Sequence, residues 1–185
     1  VNDALELKSQ GKLGGSLELI AEQTVSSVSQ IDFTDLKNYD VHYVSVSNFA
    51  VVTTDNTLRL IYSNDGGSSF ETSNYQEAIQ QGESNAQVFE SKTTSGTSLT
   101  AVAVTGDESY KSGNSYLYLY NLLNSSKYSF NNMHSVSVRE SGNFEYRFGG
   151  GVYAVAETIN AIRLYSASTF SATIKLFGIK EIWVT

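Results

Sequence analysis

The two histidines, His42 and His134, are the first candidates for acid–base chemistry in this sequence. A histidine that serves as a general base must reach a nucleophile and hold a suitable pKa, and the residues around these two indicate neither property. Each falls on the same side of a predicted strand as the valines two and four positions farther along the chain. We interpret both as hydrogen-bonded histidines at the margin of a sheet, and we predict no catalytic residue and no enzymatic activity.

The carboxylates are no more specific. Nineteen Asp and Glu residues will place some pairs at the ~5 to 10 Å spacing of glycosidases by chance. The stretch SNDGGSS lacks the alternating oxygen ligands and the closing Glu of a calcium loop, and the chain has no cysteine to hold a metal. We predict a tight hairpin-type turn at Asp65, Gly66 and Gly67, where glycine supplies the positive φ, and no metal site or cofactor.

The stretch YLYLYNLL points to a binding surface instead. With a period of two, Tyr116, Tyr118 and Tyr120 share one face of a strand, and Leu117 and Leu119 take the other. If the leucines enter the core of a sandwich, the tyrosines form an exposed stripe whose partner is either another subunit or a sugar stacked on the rings. The alternative, with the tyrosines inside and the leucines against a helix or loop, is equally compatible with the pattern.

Composition narrows the class of partner. With 185 residues, 41% of them hydrophobic, the chain has the size of one domain with one substantial core. Its net charge of -7 disfavours nucleic acid and anionic membrane surfaces, and its Lys and Arg residues are scattered. No apolar run approaches the ~20 residues of a transmembrane helix, so membrane insertion is not expected.

Strand-like segments separated by Gly, Asn, Asp and Ser must position these side chains. They predict an all-β, antiparallel, jelly-roll-like β-sandwich over residues 17–185. Residues 1–16, which end in Gly-Gly-Ser, are predicted to form an N-terminal arm or linker outside the core, and we expect this arm to serve in attachment. A short helix capped by Asn74 and stopped by Gly82 is the expected exception.

The most regular pattern is AIRLYSASTFSATIKLFGIK, residues 161–180. It predicts a hairpin of two antiparallel strands joined by the polar loop 166–169. Tyr165 and Phe177 fall on its outer face, so we add them to the candidates for a subunit interface or a glycan-stacking site. The face predicted to cover the core carries Ile162, Leu164, Phe170, Ala172, Ile174 and Leu176.

Three segments resemble the C-terminal β-sandwich domains of tailed-bacteriophage virion appendage and tail-fibre proteins. They are SQIDFTDLKNYDVHYVSVSN (29–48), LRLIYSNDGGSSFETSNY (58–75) and TIKLFGIK (173–180). The first resembles the family's strand, turn, Tyr-Asp and long strand, and the second resembles its strand followed by Asp-Gly-Gly and an aromatic residue. The third resembles its closing strand, and the three occur in the family's order. Two departures are the absence of a long fibrous shaft and of a glycine in the turn SASTFSA.

The resemblance implies a jelly-roll-like domain, usually a homotrimer, that is displayed on a virion and often contacts the host surface. It implies no catalytic residues that could be carried over to this sequence. A host surface glycan is then the expected ligand, and other phage virion proteins are the expected partners of residues 1–16. The missing shaft favours a small appendage over a long tail fibre. A capsid decoration protein of the same fold and a free-standing carbohydrate-binding module are the alternatives.

Overall fold

The computed structural model describes residues 16–53, 55–85 and 88–180. These form an all-β, antiparallel, sandwich-like fold, as predicted, and the helical structure among them is the 3₁₀ turn Ser109–Lys111. The predicted arm lies outside the described residues up to position 15. The strands are β1 (Leu17–Phe33), β2 (Val41–Val51), β3 (Asn56–Ser63), β4 (Tyr75–Glu83), β5 (Val88–Gly96), β6 (Leu99–Thr105), β7 (Gly113–Tyr120), β8 (Ser129–Val138), β9 (Phe144–Tyr153) and β10 (Ala161–Ile179).

The strands pair in the order β5-β4-β9-β8-β7-β2-β10-β3-β6, and β1 pairs with β10 off this path. Strand β10 connects the two parts of the sheet: its N-terminal half pairs with β3, its C-terminal half pairs with β2, and β1 runs along both halves. Strand β6 packs against β7, β8 and β9, with which it does not pair. The curled sheet therefore folds over itself and encloses the core between two layers.

Serine hydroxyls hold β6 against the facing strands. Ser115 donates to the Ala101 carbonyl at 2.6 Å, and Ser135 accepts from the Ala103 amide at 2.7 Å. Ser137 donates to the Val104 carbonyl at 2.6 Å. These bonds satisfy buried backbone groups of β6 that no neighbouring strand pairs on that side, which explains Ser135 and Ser137 on the core-facing side of β8.

The predicted hairpin 161–180 is wrong, because these residues form the single strand β10. Its predicted core face is correct: all six of those side chains are buried. The expected loop continues the same alternation, with Ser166 and Ser168 buried and Ala167 and Thr169 exposed. Ser168 accepts from the Thr53 amide at 3.0 Å, so a polar residue is tolerated inside the strand where β10 passes from β3 to β2.

The predicted helix after Asn74 is also wrong. Tyr75–Glu83 is strand β4, held between β5 and β9 by antiparallel pairing on both edges. Tyr75 and Ile79 are its buried apolar residues, at a spacing that a strand and a helix both allow. Asn74 has a φ of 65°, a turn conformation that asparagine tolerates. Pairing with β5 and β9 outweighs the local helical preference of the sequence.

The glycine turn lies where predicted, but it belongs to the long connection from β3 to β4, which do not pair, and is not a hairpin turn. Gly66 and Gly67 have φ of 76° and 90°. Asp65 fixes the loop, since its carboxylate accepts from the Ser69 amide at 2.9 Å and from the Ser69 hydroxyl at 2.6 Å. Ser63 donates to the same carboxylate at 2.8 Å.

Replacing Gly66 by Val should lower the free energy of unfolding by about 1 to 3 kcal/mol, because a β-branched residue is strained at positive φ. A Cβ at this position meets no atom within 4 Å, so the loss is conformational and not steric. Urea denaturation measures it, with Gly66→Asn as the control, since asparagine tolerates this conformation. Equal stability of Gly66→Val and the wild type would contradict the strain argument.

The Asp65 loop also predicts a pH dependence. Hydrogen bonds from Ser69, and then from Ser63, lower the pKa of Asp65 to about 2. Because this value is below that of the unfolded chain, the bonds stabilise the fold fully above about pH 4, and their contribution is lost as the pH falls toward 2. The melting-temperature difference between the wild type and Asp65→Asn should therefore shrink from pH 5 to pH 2. A difference that stays constant over this range would show that the charge of Asp65 is immaterial.

Candidate functional site: the aromatic face

The outer side of the layer that contains β2, β7, β8 and β9 carries a continuous band of aromatic side chains. It starts on the C-terminal half of β10 and crosses β2, β7, β8 and β9, which are neighbours in the sheet. We call this band the aromatic face. Its members are Phe177, Tyr43, Tyr116, Tyr118, Tyr120, Phe130, His134, Phe144, Tyr146 and Phe148.

Strand alternation and register bring these residues together. Leu117 and Leu119 are fully buried, so the tyrosines between and beside them point outward. Of the two orientations that the sequence allowed, the structure therefore has the one with the leucines in the core. Tyr118 lies opposite Tyr43 of β2. On the other edge of β7, the neighbouring tyrosine, Tyr116, lies opposite His134 of β8. The predicted stripe is therefore one part of a wider surface.

Tyr43 is the residue around which the band is organised, and sequence reasoning missed it. Its ring centroid lies 5.3 Å from that of Tyr118, 5.9 Å from that of Phe177 and 6.3 Å from that of Tyr116. Tyr118 in turn stacks on Tyr120 at 6.5 Å. Burial among these rings raises the pKa of Tyr43. Four of the five predicted aromatic candidates thus belong to one ring cluster.

The second missed component lies on β8 and β9. His134 is edge-on to Tyr116 at 5.6 Å and to Phe148 at 6.4 Å, and its Nδ1 is 3.3 Å from the Tyr116 hydroxyl. His42 differs, since it is buried with its Nε2 2.7 Å from the Leu36 carbonyl, and burial lowers its pKa. His42 thus matches the predicted hydrogen-bonded structural histidine, whereas His134 contributes to the exposed band.

Charge is absent from the centre of the aromatic face. Strands β2, β7 and β8, all fully described, contain no Asp, Glu, Lys or Arg, and the two charged residues of β9, Glu145 and Arg147, lie on its inner side. Charged groups border the band at Lys175, which pairs with Glu22 at 3.4 Å. This arrangement, an aromatic centre with charge at the margin, is the composition of a protein–protein interface.

The band is accessible in the single chain. Tyr116 is 41% exposed, Phe130 44% and Phe148 44%. Contiguous apolar surface of this kind is uncommon on monomeric proteins and marks contact sites. The tyrosine hydroxyls add hydrogen-bonding groups at the water-facing end of the rings, which favours contact with a macromolecular surface over passive exposure.

Tyr165, the fifth aromatic candidate, lies apart from this face. It lines a polar cleft of about 540 Å³ together with Arg59 and Glu77. The turn residues Asp65 and Gly66 belong to neither region, since their bonds serve the β3–β4 connection. The candidates chosen from the sequence are therefore divided among a surface, a cleft and a structural loop.

A network of ion pairs shares Asp55 with this cleft. The carboxylate of Glu145 is fully buried and accepts from Arg147 Nε at 2.7 Å and from Arg139 Nη1 at 3.3 Å. Arg139 also binds Glu83 at 2.7 Å and Asp55 at 3.2 Å. Burial lowers the pKa of Arg147, an effect that Glu145 opposes. Each buried charge here has an opposite charge in contact, so the network fixes β9 and β4 together.

No model of a known protein family matches the chain, and no curated protein is significantly similar to it. Across residues 16–53, 55–85 and 88–180, no group of three or more metal-ligating side chains converges. In the same part of the chain, no helix has the length and apolar character needed to cross a membrane. The functional argument therefore depends on the surface itself.

Proposed function

We propose that this protein is a non-enzymatic structural component of a bacteriophage virion, a small appendage or tail-fibre-like domain that contacts the host surface. The aromatic face carries the proposal. A surface free of charged groups over β2, β7 and β8 and rich in Tyr and Phe has the composition of an assembly interface. The phage context is supported by the resemblance of residues 29–48, 58–75 and 173–180.

The assembly state that we propose is a homotrimer in which the aromatic face of each chain meets a neighbouring chain. Phe130, Phe148 and Tyr116 leave more than two fifths of their surface in water in the single chain, and covering such area is the main driving force for association. Binding of a host glycan by each subunit would be weak alone, but a trimer in many copies per particle raises the avidity by about 10² to 10⁴.

Location on the particle tests the proposal. An antibody against the purified protein should label phage particles, and electron microscopy should place the label on the tail. Label on the head would favour a capsid decoration protein instead. Absence of the protein from purified particles would overturn the virion assignment and favour a free-standing carbohydrate-binding module.

A further inference from the structure

The polar cleft beside Tyr165 has the properties of a ligand site and is separate from the aromatic face. Its volume is about 540 Å³, within the ~300 to 1,000 Å³ range of small-molecule sites. Residues of β3, β4, β5 and β10 line it, and no member of the aromatic face does. A trimer that covers the aromatic face does not use these residues.

Arg59 is an unpaired cation in this cleft. Its Nη1 donates to the Thr100 hydroxyl at 2.9 Å, and no carboxylate of the described residues lies within ion-pair distance of it. The other three arginines, Arg139, Arg147 and Arg163, each bind at least one carboxylate. A guanidinium carries five N–H donors, so Arg59 retains donors for a ligand.

The cleft also offers acceptors in fixed positions. Glu77 is held on both oxygens by Thr100, which donates its amide at 2.5 Å and its hydroxyl at 3.0 Å. Asp55 is oriented by Arg139 at 3.2 Å. Each carboxylate oxygen has more than one acceptor position, so these bonds orient the groups without using all of their capacity. Ser91 and Thr93 add hydroxyls to the wall.

This mixture selects the class of ligand. Since Arg139 pairs with Asp55, Arg59 and Glu77 are the remaining charges of the lining, and they offer an anion no net positive charge. A metal ion would find no cluster of three ligands among the described residues. Neutral hydroxyl groups can accept from Arg59 and donate to the carboxylates at the same time. The ring of Tyr165 supplies the apolar wall that the face of a pyranose requires.

We infer that this cleft binds a neutral saccharide, with Arg59, Glu77 and Asp55 hydrogen-bonded to its hydroxyls and Tyr165 packed against its ring. The inference deepens the proposed function, since it places contact with a host glycan at this cleft and leaves the aromatic face for assembly.

A glycan array that carries neutral hexose and N-acetylhexosamine oligosaccharides beside sialylated and uronic-acid oligosaccharides tests the inference. The full chain should bind neutral members, and calorimetric titration with the best one should give its dissociation constant. Arg59→Gln should raise that constant about tenfold or more, because a hydrogen bond from a charged donor is lost. Tyr165→Leu, which keeps apolar packing and removes the flat ring, should weaken binding in the same way.

The matched control is Tyr110→Leu, a tyrosine that is 76% exposed and lies outside the cleft, and it should bind as the wild type does. Thermal melts check that each variant is folded. If Arg59→Gln does not fold, Tyr165→Leu provides the test. Binding to none of the glycans, binding to acidic ones alone, or loss through Tyr118→Asp with Tyr165→Leu unaffected would overturn the inference. None of these outcomes bears on whether the protein labels phage particles, so failure here is distinguishable from failure of the proposed function.

Discussion

Substituting Tyr118 with Asp is expected to convert the proposed homotrimer into folded monomers. Tyr118 lies at the centre of the aromatic face, between Tyr43, Tyr116 and Tyr120. In the proposed trimer its new carboxylate would be buried without a partner, at a cost of about 3 kcal/mol or more. The dissociation constant should therefore rise at least ~100-fold. Light scattering coupled to size exclusion measures the change at micromolar concentration.

Two other positions provide the controls for this substitution. Tyr110→Asp introduces the same charge at a tyrosine that is 76% exposed and outside the aromatic face, so it should leave the assembly unchanged. Leu117→Asp places the carboxylate at a fully buried position of the same strand, and this variant should unfold. A wild-type protein that is monomeric at micromolar concentration would refute the trimer, and dissociation by Tyr110→Asp would show that net charge, not the face, controls assembly.

The aromatic face shows what the local sequence pattern predicts and what it does not. Alternation in YLYLY placed three tyrosines on one side of a strand, and the structure shows that this side is the outer one. Tyr43 was missed because it joins the cluster through the pairing of β2 with β7 and with β10, strands that are far from β2 in the chain. A period of two identifies the faces of a strand, but it does not identify the neighbouring strand.

The two wrong elements have the same origin in long-range pairing. Alternation predicted the core face of β10 correctly, but the polar residues 166–169 suggested a loop, because the partners of Ser168 and Thr169 in the loop after β2 cannot be known from the local sequence. In β4, helix-forming residues are held extended by β5 and β9. The polar cleft also escaped prediction, since Arg59 and Tyr165 meet through the pairing of β3 with β10.

Arg147→Met is expected to destabilise the fold by about 3 to 5 kcal/mol, the usual result of removing one member of a buried ion pair. Glu145 is fully buried, and without Arg147 it retains only the longer contact with Arg139, at 3.3 Å. Arg139 is at the same time held by Glu83 and Asp55, so it cannot move toward Glu145 without losing those bonds. Urea denaturation followed by tyrosine fluorescence measures the change.

Arg163→Met is the matched control for this prediction. Arg163, like Arg147, binds a carboxylate: its Nε and its Nη2 each donate to Asp32 at 2.7 Å. The side chains of this pair, however, are about one quarter exposed. Its loss, together with the contact of the guanidinium on the Phe70 ring at 3.9 Å, should cost only about 1 to 2 kcal/mol. The double variant Glu145→Leu with Arg147→Met should recover most of the lost stability, because no unpaired charge then remains inside. If Arg147→Met costs no more than Arg163→Met, water reaches Glu145, and the network contributes little to the stability of the sandwich.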